Sequence, residues 1–311
     1  MSGIYGTYGF KTEATVGTAV TVDTFIPVLS AGFQVEDQKL QSQGLRGQNF
    51  AGCVKDGPRT ISGSFESELF GLGVASMLKH MFGTVATTGA GPYVHTYSIG
   101  NLGALAFTAE EAIPNGAGTK YGFKYAGCKF SDWGLNVSTG ELVKINGSIS
   151  AQSVATGAAP AVASYADSCP FSFIDASLTL DGTAVAEAES VSLSVNQALR
   201  TDGHRIGSRD IRNQSHNGFK EVTGQFEVEF DDLTLADLYL SGADAALVIT
   251  LDNGTESVVI TLPTIKLTGS MPELSGPDVV KQTIPFMAYN DLGVSSDVMT
   301  AVLTNSEATA A

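Results

Sequence analysis

Basic residues are scarce in this sequence. Lys and Arg number 17 against 32 Asp and Glu, for a net charge of −15. A chain whose main business is neutralising nucleic-acid phosphates carries the opposite balance, so the composition argues against that class. Cysteine is also sparse. Cys53, Cys128 and Cys169 are odd in number, far apart and free of CxxC or Cys/His spacing. That pattern points to reduced structural thiols in a cytoplasmic product rather than to a disulfide framework or a zinc site. No apolar run approaches the ~20 residues of a membrane helix, and Met1-Ser2-Gly3 opens into polar sequence with neither a basic nor an apolar leader. No membrane insertion and no cleaved signal are expected.

Groupings that carry chemistry are missing as well. The four histidines, His80, His95, His204 and His216, show no HExxH or related ligand spacing. Asp202, His204 and Ser208 crowd into one loop without the strand-turn-helix elbow that holds a nucleophile. Gly71-Leu72-Gly73 lacks the third glycine and the βαβ setting of a dinucleotide site. The single Trp offers no aromatic platform for a sugar or receptor. The expectation is therefore no catalytic residue, no cofactor-binding residue and no metal ligand, and a protein that is not an enzyme.

What the chain does have is apolar mass and turns. It is 43% hydrophobic and only 16% charged, with 35 glycines in 311 residues, a mixture suited to short strands joined by tight turns. One pattern occurs twice. TISGSFESEL at 60–69 and EVTGQFEVEF at 221–230 share a β-branched residue, Ser or Thr, Gly, a polar residue, Phe and Glu-x-Glu before a large apolar residue. Phe65, Ser67 and Leu69 oppose Glu66 and Glu68, and Phe226, Val228 and Phe230 oppose Glu227 and Glu229. This period of two predicts a strand with one buried and one wet face. Residues two apart on a strand share a face, so the glutamates read as an acidic stripe rather than as an acid–base pair.

Each copy leads into a short helix, Phe70 to Phe82 closed by Gly83, and Leu233 to Leu240 with Asp231 or Asp232 as cap and Gly242 as stop. GFQVEDQKLQSQG at 32–44 also parallels SLSVNQALRTDG at 192–203, with Val35 against Val195. CKFSDWGLNVSTGELVK at 128–144 parallels IKLTGSMPELSGPDVVK at 265–281. Three matches in one order argue for duplication. The Ala/Ser/Gly-rich stretch 153–170 reads as a linker, which divides the chain into residues 1–160 and 161–311. Asp252-Asn253-Gly254-Thr255 marks a hairpin, and turns are expected at Asp181-Gly182 and Ser138-Thr139-Gly140-Glu141. The fold class expected is all-β, a sandwich or barrel with a minor helix per unit.

Two long polar stretches, Gln41 to Arg59 and Arg200 to Phe219, gather much of the positive charge: Arg46, Lys55, Arg59, Arg200, Arg205, Arg209 and Arg212. Loops of this length inside compact units tend to be functional or to order against a neighbour. Residues 304–311 read as a peripheral tail.

Four blocks, TEATVGTAVTVDTFIPVLSAGF (12–33), GVASMLKHMFGTVATTGAGPYVHTY (73–97), CKFSDWGLNVSTGELVKINGSISA (128–151) and SGPDVVKQTIPFMAYND (275–291), taken in order resemble the tail tube proteins of long-tailed bacteriophages. The resemblance implies duplicated tail-tube β-sandwich or barrel domains whose inner strands join into a ring barrel, with rings stacking through loops and arms. It implies a virion tail subunit assembled in the host cytoplasm, contacting other tail proteins at the tube ends, with DNA passing through without specific binding. A duplicated chain then makes a ring of three chains with pseudo-sixfold symmetry, six chains being the competing arrangement. Glu66, Glu68, Glu227 and Glu229 are candidates for the lumen, where acid repels phosphate, and the seven basic residues are candidates for contacts between rings. Alternatives are another ring protein of the virion (a terminator, hub or tube initiator) or a binding β-sandwich.

Overall fold

The structure is a computed structural model that describes residues 3–309 except 270, 273–275, 278 and 292–296. Parts of the 265–281 and 275–291 blocks, and the last two residues of the 304–311 tail, therefore lie outside the described residues.

The first half runs β1 (Thr7–Thr12), β2 (Thr24–Phe25), β3 (Ser30–Gln41), β4 (Val54–Glu68), α1 (Ala75–Phe82), β5 (Gly83–Thr88) and β6 (Tyr93–Ile99). It continues with β7 (Phe107–Pro114), β8 (Lys120–Ser138), β9 (Lys144–Ala151) and β10 (Ser153–Ala158). The second half holds β11 (Ala176–Leu180), β12 (Thr183–Ala184), β13 (Ala188–Asn196), β14 (Glu221–Glu229) and α2 (Thr234–Ser241). It ends with β15 (Ala245–Asp252), β16 (Ser257–Leu267), β17 (Lys281–Ala288) and β18 (Thr300–Asn305). The class is all-β with two short helices, as the period-two patterns predict.

Antiparallel pairing builds one long series, β3-β4-β9-β8-β13-β14-β17-β16. The order within its first four strands repeats in its last four. The registers repeat too: Phe33 faces Gly63 where Leu193 faces Gly224, and Glu68 faces Lys144 where Glu229 faces Lys281. β8 is long enough to serve two layers. Its C-terminal half lies in this series, while its N-terminal half pairs with β7 and β10, extending to β1 and β2. Gly127, at φ 66, sits where the β7 register slips, the usual signature of a bulge that bends a strand from one layer into the other. β16 does the same, pairing through its N-terminal half with β15 and β18, which carry β11, β12, β6 and β5.

Between the layers lies a single core. Ile61, Phe65, Phe130, Trp133, Leu193, Phe226 and Phe286 line one face of the series. Met77, Leu78, Met81 and Phe82 of α1 fill the space behind it. The helix starts later than its sequence pattern suggests, at Ala75, and ends at Gly83 in the left-handed region. The Met81 carbonyl, one of those the helix end leaves without an intrahelical donor, accepts from Trp133 Nε1 (3.1 Å) and Gln197 Nε2 (2.5 Å), which pins the helix to both halves. In α2, the Asp232 carboxylate accepts from the Thr234 amide at 2.8 Å, and Gly242 ends the helix at φ 62.

Three expectations are corrected. The stretch 153–170 is not wholly a linker, because Ser153–Ala158 form β10 against β8. The polar stretch Gln41 to Arg59 is not wholly loop: Gln41 ends β3 and 54–59 open β4, with Asp37 opposite Arg59 and Lys39 opposite Asp56, leaving 42–53 as the loop. The C-terminal tail is anchored, since Asn305 Nδ2 donates to Gly71 O (2.9 Å) and Glu307 Oε1 accepts from Gly73 N (2.9 Å). These two glycines, which lack a dinucleotide-site pattern, receive the end of the chain.

Candidate assembly surface

Facing away from the core, the eight-strand series presents a wet face. Alternation places Ser62 and Ser64 of β4, Ser148 of β9 and Asn136 of β8 on it, with Ser150 on the same side but covered by Gln214. Ser190, Ser192 and Ser194 of β13 and Thr223 and Gln225 of β14 continue it. Small hydroxyls and amides fill its middle, with Glu66, Glu68, Glu227 and Glu229 toward one end and Glu36, Asp132 and Glu221 toward the other. Four antiparallel steps separate β4 from β14, so the two strands run in the same direction. That brings Glu66 and Glu68, at the C-terminal end of β4, to the same end of the face as Glu227 and Glu229 of β14.

Phe65, Ser67, Phe226 and Val228 are buried while Glu66, Glu68 and Glu227 are half-exposed and Glu229 is exposed. Each pair meets a lysine across the ladder, Glu68 opposite Lys144 and Glu229 opposite Lys281. Lys281 Nζ is 2.5 Å from Glu189 and 4.0 Å from Glu227, and Lys144 Nζ is 2.9 Å from Glu141. Glu189 and Glu141 hold these ammonium groups above the ordinary lysine range. The two lysines and the serine stripe were missed from sequence, although Val-Lys closes both third blocks and Ser-Val-Ser-Leu-Ser at 190–194 alternates openly.

The basic candidates divide. Arg59 and Arg209 come together over the β3–β4 hairpin. Arg59 Nε lies 2.8 Å from Asp37, and Arg209 reaches Asp37 (3.0 Å) and Asp56 (3.2 Å), to which Lys39 also binds (2.5 Å). The Arg59 hydrogen bond, with Arg209 behind it, lowers the Asp37 pKa. Arg200 pairs with Asp202 at 2.8 Å. Arg46, Lys55, Arg205 and Arg212 are exposed and join none of the ion pairs among the described residues.

The 200–219 stretch is strapped to the first half. Buried Lys129 donates to Gly103 O (3.0 Å), Asn213 Oδ1 (2.6 Å) and Gln214 O (3.0 Å). The Gln214 amide donates to Gly127 O (3.2 Å) and Ser150 O (3.1 Å). His216 Nε2 accepts from Leu102 N at 3.2 Å while its Nδ1 donates to Gln197 O at 3.0 Å. Burial lowers its pKa, consistent with this neutral form. The loop 42–53, by contrast, is exposed from 43 onward.

Of the thiols, Cys128 is buried and donates to Tyr125 O, while Cys53 and Cys169 are exposed and free. Among the described residues no group of His, Cys, Asp and Glu is arranged to hold a metal, and no helix is long and apolar enough to cross a membrane.

β3 closes the series at one end. It is twelve residues long and, among the described residues, paired on one side only, with Val35 and Leu40 about half-exposed. Natural proteins cover or blunt an edge of this kind, and here it is open in the isolated chain. A large β-structure with a polar outer face and an edge left unpaired among the described residues is a scaffold with a place for a further strand. The chain belongs to the phage tail tube protein family, whose model matches residues 6–288. It is thus a structural component of the phage virion tail. No curated protein matches the chain.

Proposed function

We propose that copies of this chain close edge to edge into rings of three, and that the rings stack into a tube whose hollow conducts the genome. One observation carries the reading. β8 receives β13 of the same chain, with Leu135 opposite Leu193, while β3, whose pairing to β4 matches that of β13 to β14, has no strand on its outer edge among the described residues. The end of β16, Lys266 and Leu267, pairs with β17 alone among the described residues, as Lys129 and Phe130 of β8 pair with β9. Copies joined between the outer edge of β3 in one and the β16 end of the series in the next would continue the series as β8–β13 does within a chain, and a heterologous contact of this kind gives a ring where its rotation closes.

The two units, 1–160 and 161–311, supply equivalent halves, so three chains give six sectors. The serine-rich face with Glu66, Glu68, Glu227 and Glu229 turns to the lumen, where hydroxyls and carboxylates offer duplex DNA no cationic hold. Assembly requires no cofactor.

Native mass spectrometry and negative-stain microscopy of the purified chain test this. Tubes, with three chains per ring, are expected. Six chains per ring overturn the trimer. Single rings that never lengthen assign the chain to a terminator, hub or initiator role in the same tail.

A further inference from the structure

On the assembly reading, rings must also hold one another, and the structure offers one surface for it. A groove of about 560 Å³ opens between α2, the β11–β12 turn and the end of β14. Its floor is apolar, from Val185, Val228, Leu235 and Leu238. Its rim is acidic, from Glu187, Glu229, Asp231 and Asp237, all exposed. Lys and Arg are absent from the lining.

The two helices differ in how they are covered. All but one residue of α1 is buried, whereas in α2 only Ala236 is, and Leu235 and Leu238, which line the groove, are half-exposed. The second helix lacks the cover that the first one has.

We propose that the groove receives the loop 42–53 of a second copy of this chain in the adjoining ring. That loop has the complementary chemistry. Leu45 is 102% exposed and Phe50 88%, an apolar pair with nothing of its own chain to pack on. Arg46 between them and Lys55 at the base are basic, exposed and outside every ion pair among the described residues. The other long stretch, 200–219, is tied to its own chain through Lys129, Gln214 and His216. Each chain thus offers a free loop and an open groove of complementary chemistry.

Direction agrees as well. The loop precedes β4 and the groove follows β14, and the two strands run the same way, so plug and socket lie at opposite ends of the series. A plug at one end and its socket at the other repeat without limit along the strand direction, which gives a filament rather than a closed pair. Charge on the rim adds steering and register, and the apolar tip adds buried area.

The test uses the full chain with Arg46→Glu, Asp237→Arg, the two combined, and Phe50→Ala. All lie on exposed or loop positions, and ring formation by native mass spectrometry reports that each variant folds. The tube fraction is read by sedimentation and microscopy. Each charge reversal alone and Phe50→Ala should leave rings intact and cut the tube fraction at least tenfold. The combined reversal should restore most of it. Parental tube yield from either single reversal, or normal rings with no recovery in the combined variant, overturns the docking while the ring reading stands. A parental chain that forms no rings overturns both.

Discussion

Glu111 shows how one buried group sets a pH dependence. It lies on β7 opposite Tyr8 and is only 8% exposed, and burial pushes its carboxyl up to about 7 despite a hydrogen bond from Tyr125. A carboxyl whose folded pKa exceeds its unfolded value binds its proton more tightly in the folded state. Its contribution is therefore intact below about pH 4.5 and is lost as pH rises toward 7, by at most about 3 kcal/mol. Glu111→Gln should flatten this part of the curve, stabilising the chain at pH 8 and changing little at pH 4.5. Thermal melts at the two pH values check it, and an equal shift at both points to packing instead. Gly224 depends on space rather than charge. It faces the core, where an added Cβ would stand 2.5 Å from Ser192 O and 3.0 Å from Phe286 Cε1. Gly63 meets Phe33 in the same way, at 2.5 Å from Cδ1. The glycine in the repeated motif thus makes room for a cross-strand neighbour. Gly224→Ala should cost about 1–3 kcal/mol through displaced neighbours, read as a lower urea midpoint by Trp133 fluorescence.

Among the elements, the 200–219 strap is the one held most by polar bonds. Burial lowers Lys129 to about 8, yet its three acceptors keep it in place. Lys129→Met keeps the stem and strands those acceptors, a loss of about 2–4 kcal/mol. Protease cleavage inside 200–219 should accelerate severalfold in this variant while the β-sheet circular dichroism persists. Unchanged cleavage means that Gln214 and His216 hold the strap without it. The elements legible in the sequence are those with local rules. Asn253 accepts from the Thr255 and Glu256 amides at the β15–β16 turn, and Gly83 and Gly242 stop the helices. The elements missed have distant reasons. β10 is made of small residues whose only strand signal is its partner β8. The ends of β3 and β4 look like loop because their cross-strand pairs are ionic, Asp37 with Arg59 and Lys39 with Asp56. Nothing local announces that Asn305 and Glu307 will bind Gly71 and Gly73, more than two hundred positions back. The Glu-x-Glu stripe was legible because alternation alone assigns its face. Which arginines are free was not, because their partners come from across the fold.

At the scale of the whole molecule, which way the serine and glutamate face points decides how the assembled object treats DNA. Glu66 lies opposite Asn146 and Glu227 opposite Thr283, whereas Glu68 and Glu229 sit directly opposite Lys144 and Lys281. Reversing the first two avoids a like-charge pair directly across the ladder, so the chain carrying Glu66→Lys and Glu227→Lys should still fold and form tubes. If this face lines the lumen, those tubes assembled around duplex DNA should retain it and shield it from nuclease, while parental tubes release it. Retention should weaken steeply with salt, because each lysine displaces condensed counterions from the phosphates. A face on the outside of the tube has a different outcome: DNA binds the same variant with the same salt dependence but stays open to digestion. Nuclease protection, rather than binding, therefore separates a lumen from an outer wall.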